Sequence, residues 1–265
     1  VTGVDDELVD GNIAYSIILD TASSTDVHYA GLNPADVSVT NTDNDTVGIT
    51  LVESAGTTDI TEGGAADSYT VVLNSEPTAN VTVSISSDAQ STLSTSSILF
   101  TTTTWNIART ISVTAVNDHR AEGPHTSSIF HTVTSTDLAY DGLAIPDVVA
   151  NVTDNDNVGI TLTESGGTTN STEGAATDSY TLVLTSEPSS TVAITLTPDT
   201  QVSISTSSIS FSSSTWNIPQ TITVTAIDDS ITEGGHVGII SHAVSSDDTA
   251  YNAVIIADLT TNITD

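Results

Sequence analysis

Val47-Gly48-Ile49-Thr50-Leu51 returns as Val158-Gly159-Ile160-Thr161-Leu162, an offset of 111 positions that recurs along the chain. Asp67-Ser68-Tyr69-Thr70 returns as Asp178-Ser179-Tyr180-Thr181, and Ser75-Glu76-Pro77 as Ser186-Glu187-Pro188. Thr104-Trp105-Asn106-Ile107 returns as Thr215-Trp216-Asn217-Ile218. About half of the overlapping positions are identical, which marks a true tandem unit. Within one copy, alternation and turn residues predict strands at 47–52, 69–74, 81–86, 98–101, 110–116, 127–134 and 147–153. Gly63-Gly64, Glu76-Pro77, Glu122-Gly123-Pro124 and Asp141-Gly142 punctuate them. Seven short strands in one repeat predict an all-β chain of tandem immunoglobulin-like β-sandwich domains. No helical period persists long enough to compete.

The first 45 residues align with the second half of that unit. Val4-Asp5-Asp6 matches Val116-Asn117-Asp118, Tyr29 matches Tyr140 and Tyr251, and Thr42-Asp43-Asn44-Asp45 matches Thr153-Asp154-Asn155-Asp156. The expected organisation is the C-terminal half of a repeat at 1–45 and complete sandwiches at 46–156 and 157–265. On this reading the chain is a window of a longer array, and the absence of Met fits a mature or excised piece.

Composition narrows the function. The 265 residues carry 34 Asp and Glu against 2 Arg and no Lys, a net charge of −32. Nucleic-acid binding needs a basic patch, and an anionic membrane surface attracts basic segments, so neither partner is expected. No apolar run reaches the length of a spanning helix, so no membrane insertion is expected. With no Cys there are no disulfides, thiolate metal sites or thiol nucleophiles. Hydrophobic residues are 37% and Ser and Thr roughly a third, which predicts ordered strands with a hydroxyl-rich exterior rather than disorder.

Strand parity places the acids. With loops alternating between two poles, the A–B, C–D and E–F loops and the end of the last strand share one pole. In the first complete repeat that pole collects Glu53, Asp59, Glu62, Asp67, Asp88, Asp118, Glu122, Asp154 and Asp156. The last repeat offers Glu164, Glu173, Asp199, Asp228, Asp229, Glu233 and Asp265, and the first 45 residues offer Asp5, Asp6, Glu7, Asp10, Asp43 and Asp45. Crowded carboxylates repel, and two arginines cannot neutralise them. A hard cation can, and Ca2+ suits flexible sets of carboxylate and carbonyl oxygens better than Mg2+ does. The expected metal residues are Asp5, Asp6, Asp10, Asp43, Asp45, Glu62, Asp118, Glu122, Asp154, Asp156, Glu173, Asp228, Asp229, Glu233 and Asp265.

The stretch Leu99-Phe100 … Trp105-Asn106 … Thr110-Ile111-Ser112-Val113-Thr114-Ala115-Val116-Asn117-Asp118 … Glu122-Gly123 resembles a Calx-beta repeat. It is also similar to long repeats of giant bacterial surface proteins, and Asp154-Asn155-Asp156 resembles the linker motif of cadherin-like domains. The resemblance implies calcium-binding sandwiches with acidic ligands at one pole, Glu62, Asp118, Glu122, Asp154 and Asp156 among them. Asn117 departs from the pattern, since Asp5 and Asp228 stand at that place in the other copies.

Other residues point to packing. His125 and His131, repeated as His236 and His242, read as packing or surface pairing along one strand. Trp105 and Trp216 read as core-rim residues ahead of a strand, with sugar stacking as the functional alternative. Sequons occur at Asn44, Asn80, Asn151, Asn170 and Asn262. No nucleophile elbow or converging polar set suggests catalysis. The expectation is a non-enzymatic structural segment of a large extracellular surface protein: a stalk, adhesin extender or fibre with calcium at its junctions. Its partners would be neighbouring repeats, with lateral self-association into a filament or binding of surface glycans as alternatives.

Overall fold

The computed structural model describes the backbone of residues 1–265 and every side chain except that of Ala253. It is built of strands, three short 3-10 turns and loops. Among the described residues no helix is long and apolar enough to cross a membrane.

The first two strands, β1 (Ile13–Ile17) and β2 (Val37–Asn41), pair antiparallel, with Ile17 opposite Val37. Next come β3 (Ile49–Glu53), β4 (Thr58–Thr61), β5 (Asp67–Leu73), β6 (Val81–Ser87), β7 (Ser91–Leu93), β8 (Ser97–Phe100), β9 (Arg109–Ala115), β10 (His125–Ser135) and β11 (Val148–Thr153). They form two sheets, ordered β3-β5-β9-β7 and β4-β11-β10-β6-β8. The pattern repeats in β12 (Ile160–Glu164), β13 (Thr169–Thr172), β14 (Asp178–Leu184), β15 (Val192–Pro198), β16 (Val202–Ile204), β17 (Ser208–Phe211), β18 (Gln220–Ala226), β19 (His236–Ser246) and β20 (Leu259–Thr264). Those sheets are ordered β12-β14-β18-β16 and β13-β20-β19-β15-β17. Each set is an immunoglobulin-like sandwich with Greek-key connections.

The strand period is legible in the burial. On β5 the buried set is Tyr69, Val71 and Leu73, and on β6 it is Val81, Val83 and Ile85. These side chains face Phe100, Ile111, Val113 and Ile129 in one core. Tyr180, Leu182, Val192, Ile194, Phe211, Ile222 and Val224 form the matching core. Alternation on a pleated strand sends every second residue inward, so the two sheets bury one shared apolar layer.

Two short strands per repeat escape the sequence reading. The first sandwich has nine strands rather than seven, because β4 and β7 are additional. Both carry hydroxyl side chains at inward positions, Thr58 and Ser91, where alternation offers no apolar signal. The opening strand is also split. After Glu53 the chain makes a 3-10 turn with Ala55 at φ +54, then crosses to the other sheet as β4. In the second sandwich Gly166 and Gly167 take the same left-handed turn, and β13 pairs in parallel with the closing strand β20.

By contacts the chain divides into two compact units: Val1–Val116 with Thr126–Val152, and Asn117–His125 with Thr153–Asp265. Each holds one sandwich together with the acidic loop that precedes it in sequence. In the first unit the Glu76 amide donates to the Glu7 carbonyl at 2.7 Å, and Leu8 bridges Glu76. In the second the Glu187 amide donates to the His119 carbonyl at 2.6 Å. An acidic loop is therefore tied in each unit to the Ser-Glu-Pro turn of the sandwich that follows it.

Two polar contacts recur inside both sandwiches. The Tyr140 hydroxyl donates to the Ser75 carbonyl at 2.8 Å and accepts from the Ser75 amide at 3.2 Å. Tyr251 does the same with Ser186, at 2.7 and 3.0 Å. Tyr69 meets His131 Nε2 at 2.9 Å, and Tyr180 meets His242 Nε2 at 3.1 Å. Each Tyr–His pair joins one sheet to the other, as the packing role expected for His131 and His242 requires.

Candidate metal-binding acidic loops

The acids divide into two classes that composition does not separate. One class braces loops. Asp67 accepts the Ser54 hydroxyl and the Asp59 amide, and Asp59 accepts the Asn151 side-chain amide at 2.7 Å. The Ser54 hydroxyl on Asp67, and the Asn151 amide on Asp59, hold both carboxyls below the usual range. Asp88 accepts the Ser128 amide and the Ser127 hydroxyl, each at 2.7 Å, and Asp199 accepts the Ile239 amide at 2.7 Å.

The second class lies where the motifs converge. In the first unit, Asp43 accepts the Gly11 amide at 2.7 Å and the Asp45 amide at 2.8 Å. The Asp45 and Gly11 amides keep the Asp43 carboxyl low. Asp45 is raised instead, by burial first and then by Asp43, Asp5, Asp6 and Asp10. These five acids line a cleft of about 400 Å3. Glu62, also in this unit, closes β4 and is almost completely buried.

The second unit repeats the arrangement. Asp154 accepts the Gly123 amide at 2.6 Å and the Asp156 amide at 2.8 Å. Burial works to raise Asp154, and the amides of Asp156, Gly123 and Glu122 outweigh it, so its carboxyl sits low. Asp156 is raised by burial, then by Asp154 and Asp118, with His119 working the other way, and its Oδ2 is buried without a hydrogen-bond donor. Asp118 accepts the Arg120 amide at 2.7 Å, just as Asp6 accepts the Leu8 amide and Asp229 the Ile231 amide. Glu122 lies 3.7 Å from His125 Nε2.

The last pole, in the same unit, gathers Glu173, Glu233 and His236, whose ligand atoms lie within 4.8 Å of one another. His236 Nε2 is 3.6 Å from Glu173 and 3.5 Å from Glu233. Burial and the charges of Asp265 and Asp229 push Glu173 up. The Gly234 carbonyl on Nδ1, with Glu233 and Glu173 beside the ring, pushes His236 up. Asp265 accepts the amides of Glu233 and Gly234 at 2.8 and 3.2 Å. Asp228 approaches Gly174 so closely that a Cβ there would lie 3.1 Å from its Oδ2, and Gly174 has φ +65. A side chain at that position would need the Asp228 carboxylate to give by a few tenths of an ångström, on a backbone conformation that L residues rarely adopt.

Fourteen of the fifteen expected metal residues fall on these loops, and Glu62 lies buried just after β4, but they are not equivalent. Asp43, Asp154 and Asp265 spend their oxygens on backbone amides and shape the loops. Asp45, Asp156 and Glu173 are the carboxyls that burial and neighbouring acids raise, with His119 beside Asp156 and His236 beside Glu173 only partly offsetting the effect. Among the described residues neither arginine forms an ion pair with a carboxylate. The oxygen-rich sets fit a hard cation, whose charge would offset the repulsion that raises these three carboxyls. The sequence reading left His236 out of the site. His236 stands three residues after Glu233 at the entry to β19, and that spacing was the available signal.

The tryptophans are core-rim residues. Trp105 and Trp216 are partly buried against their cores, and the Trp216 ring lies 5.6 Å from the His119 ring.

No protein-family model matches the chain, and no curated protein does. Among solved structures it is similar to CBD12 from CALX1.2, at 12% identity and TM-score 0.34, over 81% of this chain and 99% of that one. Similarity of the same order, 12% identity and TM-score 0.35, links it to titin domains z1z2 in complex with telethonin, over 83% of this chain and 96% of that one. Domains 4–9 of the surface layer protein SbsC align with all of this chain and 40% of theirs, at 13% identity and TM-score 0.28.

Proposed function

We propose that this chain is a non-enzymatic structural segment of a large extracellular surface protein, a stalk, adhesin extender or fibre. Its acidic loops take up Ca2+ and thereby hold successive sandwiches in place. One observation carries the reading: Asp156 has a buried oxygen without a donor while Asp154 and Asp118 raise its carboxyl. A divalent cation offsets that repulsion, and Asp118, Glu122 and Asp156 would supply oxygen ligands. The carboxyls of Asp45 in the first unit and Glu173 at the last pole are likewise raised by burial and neighbouring acids. Both loops are already tied by backbone bonds to the Ser-Glu-Pro turns of Glu76 and Glu187, so an ion that orders the loop also stiffens its attachment.

The non-enzymatic part of the reading rests on chemistry. The recurring His side chains pair with Tyr or Glu, and among the described residues no serine or threonine hydroxyl is hydrogen-bonded to them. Neighbouring repeats of the same kind are the natural partners, because repeat arrays distribute their stability over nearest-neighbour contacts.

The test is thermal unfolding of the whole chain in Ca2+, in Mg2+ and in chelator. A ligand that binds only the folded state stabilises by about 2.7 kcal/mol at a hundredfold excess over Kd. A clear rise in Tm with Ca2+ alone supports the reading. Identical curves in all three conditions would leave the acids as solvated loops and sink it.

A further inference from the structure

We propose that the open face of β1 and β2 is a docking surface for the first part of a repeat of this same kind, a polypeptide patterned like residues 49–115. Docking would complete a third sandwich.

The argument is internal symmetry. Ile17 faces Val37 across β1 and β2, as Ile240 faces Leu259 across β19 and β20. Counting back from Val37, Tyr29 lies eight residues earlier, as Tyr140 does from Val148 and Tyr251 from Leu259. Tyr29 is 62% exposed, whereas Tyr140 and Tyr251 are each 1% exposed. Val37 is 47% exposed, whereas Val148 and Leu259 are 1% and 3% exposed. Residues at the places that close the core in both complete sandwiches thus lie open here, Val37 on β2 and Tyr29 in the connection between β1 and β2.

The edges agree with the face. In a complete sandwich the strand equivalent to β1 pairs with β6 or β15, and the strand equivalent to β2 pairs with β4 or β13. β1 and β2 pair only with each other. An isolated two-stranded sheet is marginal in water, and unpaired edges invite strand addition. A polypeptide patterned like residues 49–115 would supply both missing edge partners and the facing sheet together. It would also bring a Ser-Glu-Pro turn whose serine could receive the Tyr29 hydroxyl as Ser75 receives Tyr140.

A second copy of this chain is the poorer fit. Its β3–β9 and β12–β18 are already closed over by their own last strands, so it has no such half to spare.

The experiment fuses a copy of residues 46–115 ahead of Val4 in the full chain, a junction set by the match of Val4 to Val116. Hydrogen exchange at the β1 and β2 amides is then compared with the unfused chain. The expected result is slowing by at least about 100-fold, with loss of apolar-dye binding. In the fused chain Tyr29→Phe should lower the Tm, while in the unfused chain it should leave it unchanged. Unslowed exchange in the fused chain overturns the proposal, whether or not the added segment folds. Light scattering of the unfused chain supplies the other arm. A dimer whose β1 and β2 amides are protected, with protection lost on dilution, would assign the face to a second copy and overturn it too.

Discussion

Asp154 accepts the Gly123 amide through one carboxylate oxygen at 2.6 Å and the Asp156 amide through the other at 2.8 Å. Asp43 repeats this with Gly11 and Asp45 at 2.7 and 2.8 Å, and Asp265 reaches Gly234 at 3.2 Å. One carboxylate thus pins the acidic loop to the end of the closing strand and presents the next acid of the motif. Charge-assisted bonds of this kind are the stronger class of hydrogen bond. Asp154→Ala should therefore cost about 1–2 kcal/mol in denaturant unfolding, the low end for a part-exposed group, and speed exchange at the Gly123 amide. Unchanged exchange there would show that Asp154 does not hold the loop.

Asp156→Asn should change sign with the solution. In chelator it removes a charge that Asp154 and Asp118 repel, so the Tm should rise slightly. In Ca2+ it removes a ligand, so the Ca2+-induced gain should shrink. Paired melting curves of both proteins in both buffers make the comparison, and equal shifts in every buffer would refute the assignment.

Tyr140→Phe deletes a buried hydroxyl that satisfies both the amide and the carbonyl of Ser75. Leaving those groups unpaired should cost about 1–3 kcal/mol. Tyr251→Phe should cost a similar amount through Ser186. The two effects should add, because the pairs sit in different cores. Urea denaturation of the single and double variants measures this.

Acid should weaken both sandwiches through His131 and His242. Burial lowers both imidazoles below their ordinary 6.5, with the Pro146 and Ala257 carbonyls and then Asp147 and Asp258 working the other way. The unfolded chain therefore binds more protons than the folded one as pH falls below about 6.5, and stability declines until the folded groups titrate. His131→Gln with His242→Gln should flatten the pH dependence of the unfolding free energy between about pH 6.5 and 5. A slope equal to that of the unaltered chain would show that other groups set it.

Thr261→Val should stabilise the second sandwich by about 1 kcal/mol. Thr261 is buried on β20 and its hydroxyl has no hydrogen-bond partner, while the first sandwich places Ala150 at that position. Valine keeps the shape and removes the unpaired group. Calorimetry of the variant reads the change directly.

Much of the fold was legible in advance because its signals are local. The repeat offset, the alternation in Tyr69–Val71–Leu73 and the turn residues each depend only on neighbours in sequence. β4 and β7 were not legible, because Thr58 and Ser91 face inward by virtue of long-range pairing and polar contacts rather than hydrophobicity. The acid poles were legible as a collection of carboxylates, but His236 joined Glu173 only once β13 and β19 were placed near each other.

The sequence by itself determined that the chain is a β-structured tandem repeat carrying a large unneutralised negative charge, since period, alternation and charge are properties of residue order and type. Only the tertiary structure decided which carboxylates brace loops and which are raised by burial and neighbouring acids. That distinction depends on which amides point at them: the Gly123 amide reaches Asp154 across 31 residues and leaves Asp156 without a donor for its buried oxygen.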